Sequence, residues 1–282
     1  MRKKVYLHIG HGRTGTTTIQ KALADNCQKG AFLYPKTIAA GPIGASHRLA
    51  FAKSPDSPDV YSADEKEHRD MHTSLFREIE ESSCEKVFMS SEVVLPALFN
   101  APFPFKSGVL KAKQELFHEL IFRYDFFVIY YAREPFEQIQ SMFNQYSKSR
   151  SLAPSQENFN SYVRDDAGIG VPYTQLLYHE NLEAWKNVVG KERILTKVYD
   201  KKFLTEGDVV VDFFNFIGEK DLLKKMTIDK TKQNASEKKD FVYTKEDRET
   251  IVNFLKEDNE LYASKWLPEE QAKALLVNLK HE

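Results

Sequence analysis

The chain has 282 residues, 41% hydrophobic and 29% charged, an ordinary globular composition long enough for one large α/β domain or two small ones. Its 40 basic and 41 acidic residues leave a formal charge of −1, which argues against nucleic-acid binding as the main business, since such domains carry a strong basic excess. Met1-Arg2-Lys3-Lys4 runs into a short apolar stretch without a cleavage site, and no segment nears the ~18 apolar residues of a membrane span, so a cytoplasmic protein is expected.

Residues 5–9 (VYLHI) read as a strand that breaks at Gly10-His11-Gly12 and passes through Arg13-Thr14-Gly15-Thr16-Thr17-Thr18 into a helix carried by Ile19, Ala22 and Leu23. A strand-like piece over 31–34 stops at Pro35, and a short helix is expected from Ala45 through His47, Leu49, Ala50 and Phe51. Residues 53–64, rich in Pro, Ser and Asp, form a loop. A helix over 65–82 puts Met71, Leu75, Phe76 and Ile79 on one face. Residues 86–90 (KVFMS) read as a buried strand with Ser91-Glu92 at its end, and 101–108 as a loop.

A helix over 109–122 leads into the most strand-like run, 126–132 (FFVIYYA), which ends at Arg133-Glu134-Pro135. Pro135 opens the next helix, which extends to about Lys148. The segment 148–158 is polar and loop-like. Helical periodicity returns over 173–188, strand character over 193–199, and helical periodicity again over 209–217 before Gly218. A polar stretch, 229–239, precedes two closing helices over 244–257 and 268–280.

No repeat, low-complexity tract or linker divides the chain, so a single domain over 1–282 is expected. Strands alternating with helices imply an α/β fold of three layers, a mostly parallel central sheet flanked by helices. Cys27 and Cys84 are too few for a disulfide framework and read as packing residues. Asn234-Ala235-Ser236 matches a glycosylation sequon, but without a secretory signal the match carries no weight.

Strand, glycine turn, helix N-terminus is a layout in which backbone N–H groups and the positive end of a helix dipole grip a phosphate. Gly10 and Gly15 hold the G-x-x-x-x-G spacing of a nucleoside-triphosphate loop, yet Thr16-Thr17 stand where that loop needs Lys and then Ser or Thr. The missing lysine serves the β- and γ-phosphates, so tight handling of a γ-phosphate is not expected. Arg13 and the surrounding threonine hydroxyls suit a nucleotide with a 5′-phosphate group and no metal. The bland alternative is a βα turn with polar caps.

Arg13-Thr14-Gly15-Thr16-Thr17 resembles the 5′-phosphosulfate loop of sulfotransferases that use 3′-phosphoadenosine 5′-phosphosulfate (PAPS), with arginine in the form common to the tyrosylprotein and carbohydrate branches. The resemblance implies a P-loop-like fold, PAPS as donor, 3′,5′-ADP as product and no metal. It also implies donor binding by Gly12, Arg13, Thr14, Gly15, Thr16, Thr17 and Thr18. A second match is Arg133 at a strand end with Ser141 in the following helix, a placement that in this family holds the 3′-phosphate. Arginine suits that role because its fork donates two bonds to one phosphate. The 3′-phosphate separates PAPS from ATP, so this pair and the missing lysine agree.

Sulfuryl transfer needs a base on the acceptor hydroxyl, a cation on the leaving phosphate and in-line geometry. Arg13 is the expected cation. Two bases stay open. Glu92, in Ser90-Ser91-Glu92, resembles the catalytic glutamate of the carbohydrate and tyrosylprotein branches, whereas His47 resembles the histidine base of the small-molecule branch in residue type alone. Tyr199 resembles a nucleotide-contacting tyrosine, and Lys232, Asn234 and Ser236 fall where the family closes over PAPS; a solvated loop explains Lys232 equally well. Lys148, Arg150 and Arg164 either meet an anionic acceptor or form a wet surface.

The expected function is transfer of the sulfuryl group of PAPS to a hydroxyl of a carbohydrate or glycoconjugate, in a bacterium whose surface polysaccharide, glycolipid or secreted metabolite is the acceptor. The alternatives are a divergent P-loop kinase and a non-catalytic nucleotide- or glycan-binding protein of the same fold. Loops at 53–64, 101–108 and 148–158 are expected to build the acceptor pocket. Nothing in the sequence sets an oligomeric state.

Overall fold

The computed structural model describes residues 2–27, 30–39, 65–92, 107–149, 153–164, 171, 173–228 and 240–279. Four strands form one sheet: β1 (Lys4–His8), β2 (Lys86–Ser90), β3 (Asp125–Ala132) and β4 (Ile194–Val198), in the order β2-β1-β3-β4. Every ladder is parallel, with His8 opposite both Ser90 and Ile129, and Ala132 opposite Val198. All four carboxyl ends therefore lie along one edge. Val128 to Ala132 of β3 are wholly buried, as a parallel strand covered on both faces requires.

The described helices are α1 (Thr16–Asn26), α2 (Glu65–Glu81), α3 (Ser107–Arg123), α4 (Pro135–Ser149), α5 (Gln156–Arg164), α6 (Tyr178–Val189), α7 (Val209–Phe216), α8 (Lys220–Leu223), α9 (Lys245–Trp266) and α10 (Glu269–Leu275). Alternate strand residues feed two cores. Val5, Leu7, Val87, Met89, Phe126, Val128 and Tyr130 join the larger core, which takes in α2, α4, α5, α6 and α9. Tyr6, Phe88, Ile129 and Tyr131 face the smaller one, with α1 and α7.

This layering positions the site. Ile19 and Leu23 carry α1 into the smaller core, while Phe136, Ile139 and Phe143 carry α4 into the larger. Fully burying such side chains contributes about 1.5–3 kcal/mol each, enough to commit the two helices to opposite faces. The connections that leave β1 and β3 thus part in opposite directions, and adjacent strands of that kind open a crevice at their carboxyl ends.

The strands follow the sequence pattern, whereas several other elements depart from it. Residues 31–34 form no strand; Leu33 makes a single bridge to Val87, donating to Lys86 O at 2.9 Å and accepting from Phe88 N at 2.8 Å. Pro35 has no N–H with which to extend the pairing. Ser107 and Gly108 begin α3 instead of ending a loop. The polar segment 148–158 hides the start of α5, which buries Phe159, Tyr162 and Val163. The helical pattern over 173–188 splits at Leu177, whose ψ of 79° separates the 3-10 turn Tyr173–Leu176 from α6. Helix α9 runs on to Trp266 because neither Gly nor Pro interrupts it after the Thr244–Asp247 capping box. The helix expected near Ala45 and the loops at 53–64, 101–106 and 229–239 lie outside the described residues.

Candidate active site

The turn after β1 is shaped by two residues with left-handed backbone, Arg13 at φ 72° and Gly15 at φ 77°. A non-glycine residue there costs about 1–2 kcal/mol, so Arg13 holds a conformation that its side chain resists. Gly15 has a second constraint. A Cβ on it would stand 3.0 Å from the Val209 methyls and 3.2 Å from the Tyr199 ring.

The carbonyls of this turn are tied into the protein. His11 O accepts from Thr14 Oγ1 at 2.6 Å and from Thr16 Oγ1 at 3.3 Å, and Gly12 O accepts from Gln138 Nε2 at 2.6 Å. Arg13 O accepts from Arg133 Nη1 at 3.3 Å, and Gly15 O from Thr18 N and Ile19 N. The N-cap of α1 is Gly15, which has no side chain to cap the helix. The N–H of Thr18 is held by Gly15 O, while those of Thr16 and Thr17, the first of the helix, lie beside a cleft lined by Thr16, Thr17 and Thr18.

That cleft has a volume of about 540 Å³ and gathers groups from all four strand ends. Gly12, Arg13 and Gly15 come from the β1 turn, Glu92 from β2, Arg133 from β3 and Tyr199 from β4. Helix α4 supplies Ser141. Arg13 Nε donates to Ser141 Oγ at 3.1 Å, and its Nη1 to Gln145 Oε1 at 3.3 Å. Arg133 Nε and Nη2 donate to Glu137 Oε2 at 3.2 and 3.0 Å. Burial, helped by the charge of Arg133, lowers the pKa of Arg13, yet a guanidinium stays charged under any ordinary condition. Burial raises that of Tyr199 against the pull of both arginines, so its phenol is neutral. Two cations facing one partly buried space favour an anionic ligand.

Glu92 sits beside the turn: its Cγ is 3.9 Å from where a Gly12 Cβ would be, and its Oε2 accepts from Gln20 Nε2 at 2.8 Å. Thr14 is buried under the turn and shapes it without lining the cleft. His47, Arg150, Lys232, Asn234 and Ser236 lie outside the described residues. Lys148 is exposed near the end of α4. Arg164 is engaged elsewhere, with Asp247 at 3.0 Å and Glu246 at 3.1 Å, and ties α5 to α9.

Sequence reasoning missed Gln20, Gln138, Gln140, Asn144 and Gln145. Their signal is present on α4, where Gln140-Ser141 and Asn144-Gln145 repeat at helical spacing beside the buried Phe136, Ile139 and Phe143. Gln138 clamps the turn through Gly12 O, and its Nε2 also lies 2.6 Å from His11 Nδ1. Burial pushes that histidine down to about 4, which leaves it neutral.

No family model matches the sequence, and no curated protein does. Among solved structures, the crystal structure of a sulfotransferase from Alicyclobacillus acidocaldarius is similar, with a TM-score of 0.50 over 96% of this chain and 95% of that one, at 15% identity. The chain has a sulfotransferase-like fold. The expected α/β architecture holds, and the described sheet is parallel throughout. The cleft of this sulfotransferase-like fold lies at the carboxyl ends of β1 and β3, the crevice that the layering opens. Among the described residues no group of three His, Cys, Asp or Glu side chains is placed to hold a metal, and no helix is long and apolar enough to cross a membrane.

Proposed function

We propose that the cleft binds PAPS and that the protein transfers its sulfuryl group to a hydroxyl of a carbohydrate or glycoconjugate. One observation carries this reading: two guanidiniums from different strand ends share the crevice, Arg13 bonded to Ser141 and Arg133 bonded to the Arg13 carbonyl. Two cationic heads, threonine hydroxyls and the Thr16 and Thr17 N–H groups at the start of α1 fit a ligand with two anionic ends. Thr16, standing where a triphosphate loop carries lysine, favours one without a γ-phosphate.

PAPS supplies an activated sulfuryl group on its 5′-phosphate and carries a separate 3′-phosphate. In this reading Arg13, Thr16, Thr17, Thr18 and the first-turn amides of α1 hold the 5′ end, presented by the turn that Gly12, Thr14 and Gly15 shape. Arg133 and Ser141 hold the 3′-phosphate. Arg133 exchanges its exposed partner Glu137 for the ligand. Tyr199 borders the nucleotide, and Lys232 and Asn234 close over it. Arg13 stabilises charge on the departing phosphate; a preorganised donor in such a place accounts for about 10²–10³ in rate. Glu92 takes the acceptor's proton, with His47 as the second candidate.

The test is an assay of labelled PAPS against a panel of glycans, phenols and steroids. Label transfer to a glycan hydroxyl supports the reading. A protein that ignores PAPS and moves the γ-phosphate of ATP in the presence of Mg²⁺ is a kinase, and the reading is then wrong.

A further inference from the structure

Glu92 is held from below by an amide that the phosphate-binding reading does not use. Gln20 lies on α1, one turn beyond the threonines that line the cleft. It is 1% exposed, on the same buried face as Ile19 and Leu23. Its Nε2 donates to Glu92 Oε2 at 2.8 Å and to Ser90 O at 3.4 Å. Its Oε1 is also buried and has no hydrogen-bond partner among the described residues.

We propose that Gln20 is a positioning residue, which fixes the Glu92 carboxylate to receive the proton of the acceptor hydroxyl. The inference rests on the reading of Glu92 as the base. Three observations lead to it. First, a buried amide with an unsatisfied oxygen is a poor choice for stability, since an apolar side chain of similar size would fill the same place without stranding an acceptor. Second, the amide has one tolerable orientation. Turning it over would set Oε1 against a carbonyl and a carboxylate, both acceptors, so the N–H side must face Glu92.

Third, the amide acts on a backbone that is already fixed. Ser91 N donates to His8 O at 2.9 Å, and Ser90 Oγ lies 2.9 Å from His8 Nδ1, which pins the end of β2 to β1. Glu92 is thus steadied through its backbone by β1 and through its carboxylate by α1. The same rigid helix presents its N-terminus to the cleft, so one element orients both the phosphate-facing groups and the base. In the transfer, the acceptor O–H bond breaks as its oxygen bonds to sulfur, the bond from sulfur to the 5′-phosphate oxygen breaks, and the proton moves to Glu92. Among the described residues, the other charged groups lining this cleft are Arg13 and Arg133, and Tyr199 is a further titratable one.

The test compares Gln20→Met, Gln20→Glu, Glu92→Gln and the double variant Gln20→Met/Glu92→Gln with the parent protein, using release of 3′,5′-ADP from PAPS with water as acceptor and reading turnover apart from KM. Binding of 3′,5′-ADP checks that each variant is folded. Gln20→Met, which removes the donor, and Gln20→Glu, which sets a second carboxylate against the first, are each expected to lower turnover about tenfold without changing KM for PAPS. Adding Gln20→Met to Glu92→Gln is expected to cost nothing more, because the carboxylate that Gln20 positions is already gone. Folded Gln20 variants that turn over like the parent, or a Gln20→Met loss that is the same with and without Glu92, overturn the inference. Undiminished turnover in Glu92→Gln overturns instead the assignment of Glu92 as base.

Discussion

Arg13 Nε donates to Ser141 Oγ across 3.1 Å, joining residues 128 positions apart at the mouth of one crevice. The contact ties the turn after β1 to the helix after β3, so the two proposed phosphate subsites are built against each other. Whatever holds one end of the ligand also sets the position of the other.

If the proposed function holds, Arg13→Ala lowers transfer by about 10²–10³, because in that reading the variant loses the preorganised cation at the leaving phosphate. Arg13→Lys keeps the charge but cannot reach Ser141 and Gln145 with a planar fork, so it should recover part of the rate and not all. Steady-state rates with PAPS, read beside 3′,5′-ADP affinity, measure both. Equal rates for lysine and arginine would show that charge alone suffices.

Gly15→Ala is expected to destabilise the fold by about 1–3 kcal/mol, since both the left-handed φ and the Val209 and Tyr199 contacts oppose a methyl group. Gly207 provides the control. It has a φ of 66°, but nothing lies within 4 Å of where its Cβ would stand, so Gly207→Ala carries the backbone cost of about 1 kcal/mol without the clash. Denaturant unfolding of both variants should rank Gly15→Ala as the more damaging.

Glu134 gives a pH signature. Burial pushes its carboxyl up to about 7, against hydrogen bonds from the backbone N–H groups of Glu137 and Phe136. Between the ordinary value of 4.5 and about 7 the folded protein holds a proton that the unfolded chain has released, so this group's contribution to stability falls as pH rises. Burial pushes His8 down to about 3 and His11 down to about 4, and these two act in the opposite sense, losing stability as pH falls below the ordinary value of 6.5. Comparing Glu134→Gln with the parent isolates the carboxyl. The variant should gain about 3 kcal/mol relative to the parent between pH 5 and pH 8. A difference that stays constant over that range would mean that Glu134 ionises in the fold as easily as out of it.

The sheet was legible because a parallel strand buried on both faces appears as an unbroken apolar run, and residues 126–132 are the plainest case. The turn was legible for a similar reason: glycine and threonine density after a strand is uncommon without a tight turn to serve. Helix α5 was not, because Phe159, Tyr162 and Val163 are the whole of its apolar face and stand among polar neighbours. Arg13 showed as a cation, but nothing in the sequence marks a non-glycine residue that will adopt a left-handed backbone. The links from Arg13 to Ser141 and from Gln20 to Glu92 depend on which strands become neighbours, and that is decided by the order β2-β1-β3-β4 and not by local pattern.

In the proposed function, Arg133 and Ser141 carry the distinction between a nucleotide with a 3′-phosphate and one without it. The most direct measurement is isothermal titration of the protein with 3′,5′-ADP and with 5′-AMP, repeated for Arg133→Ala. The parent is expected to bind 3′,5′-ADP at least about tenfold more tightly than 5′-AMP, as charge-assisted bonds from one guanidinium require, and the variant to lose that preference. Equal, weak affinity of the parent for both nucleotides would contradict the account.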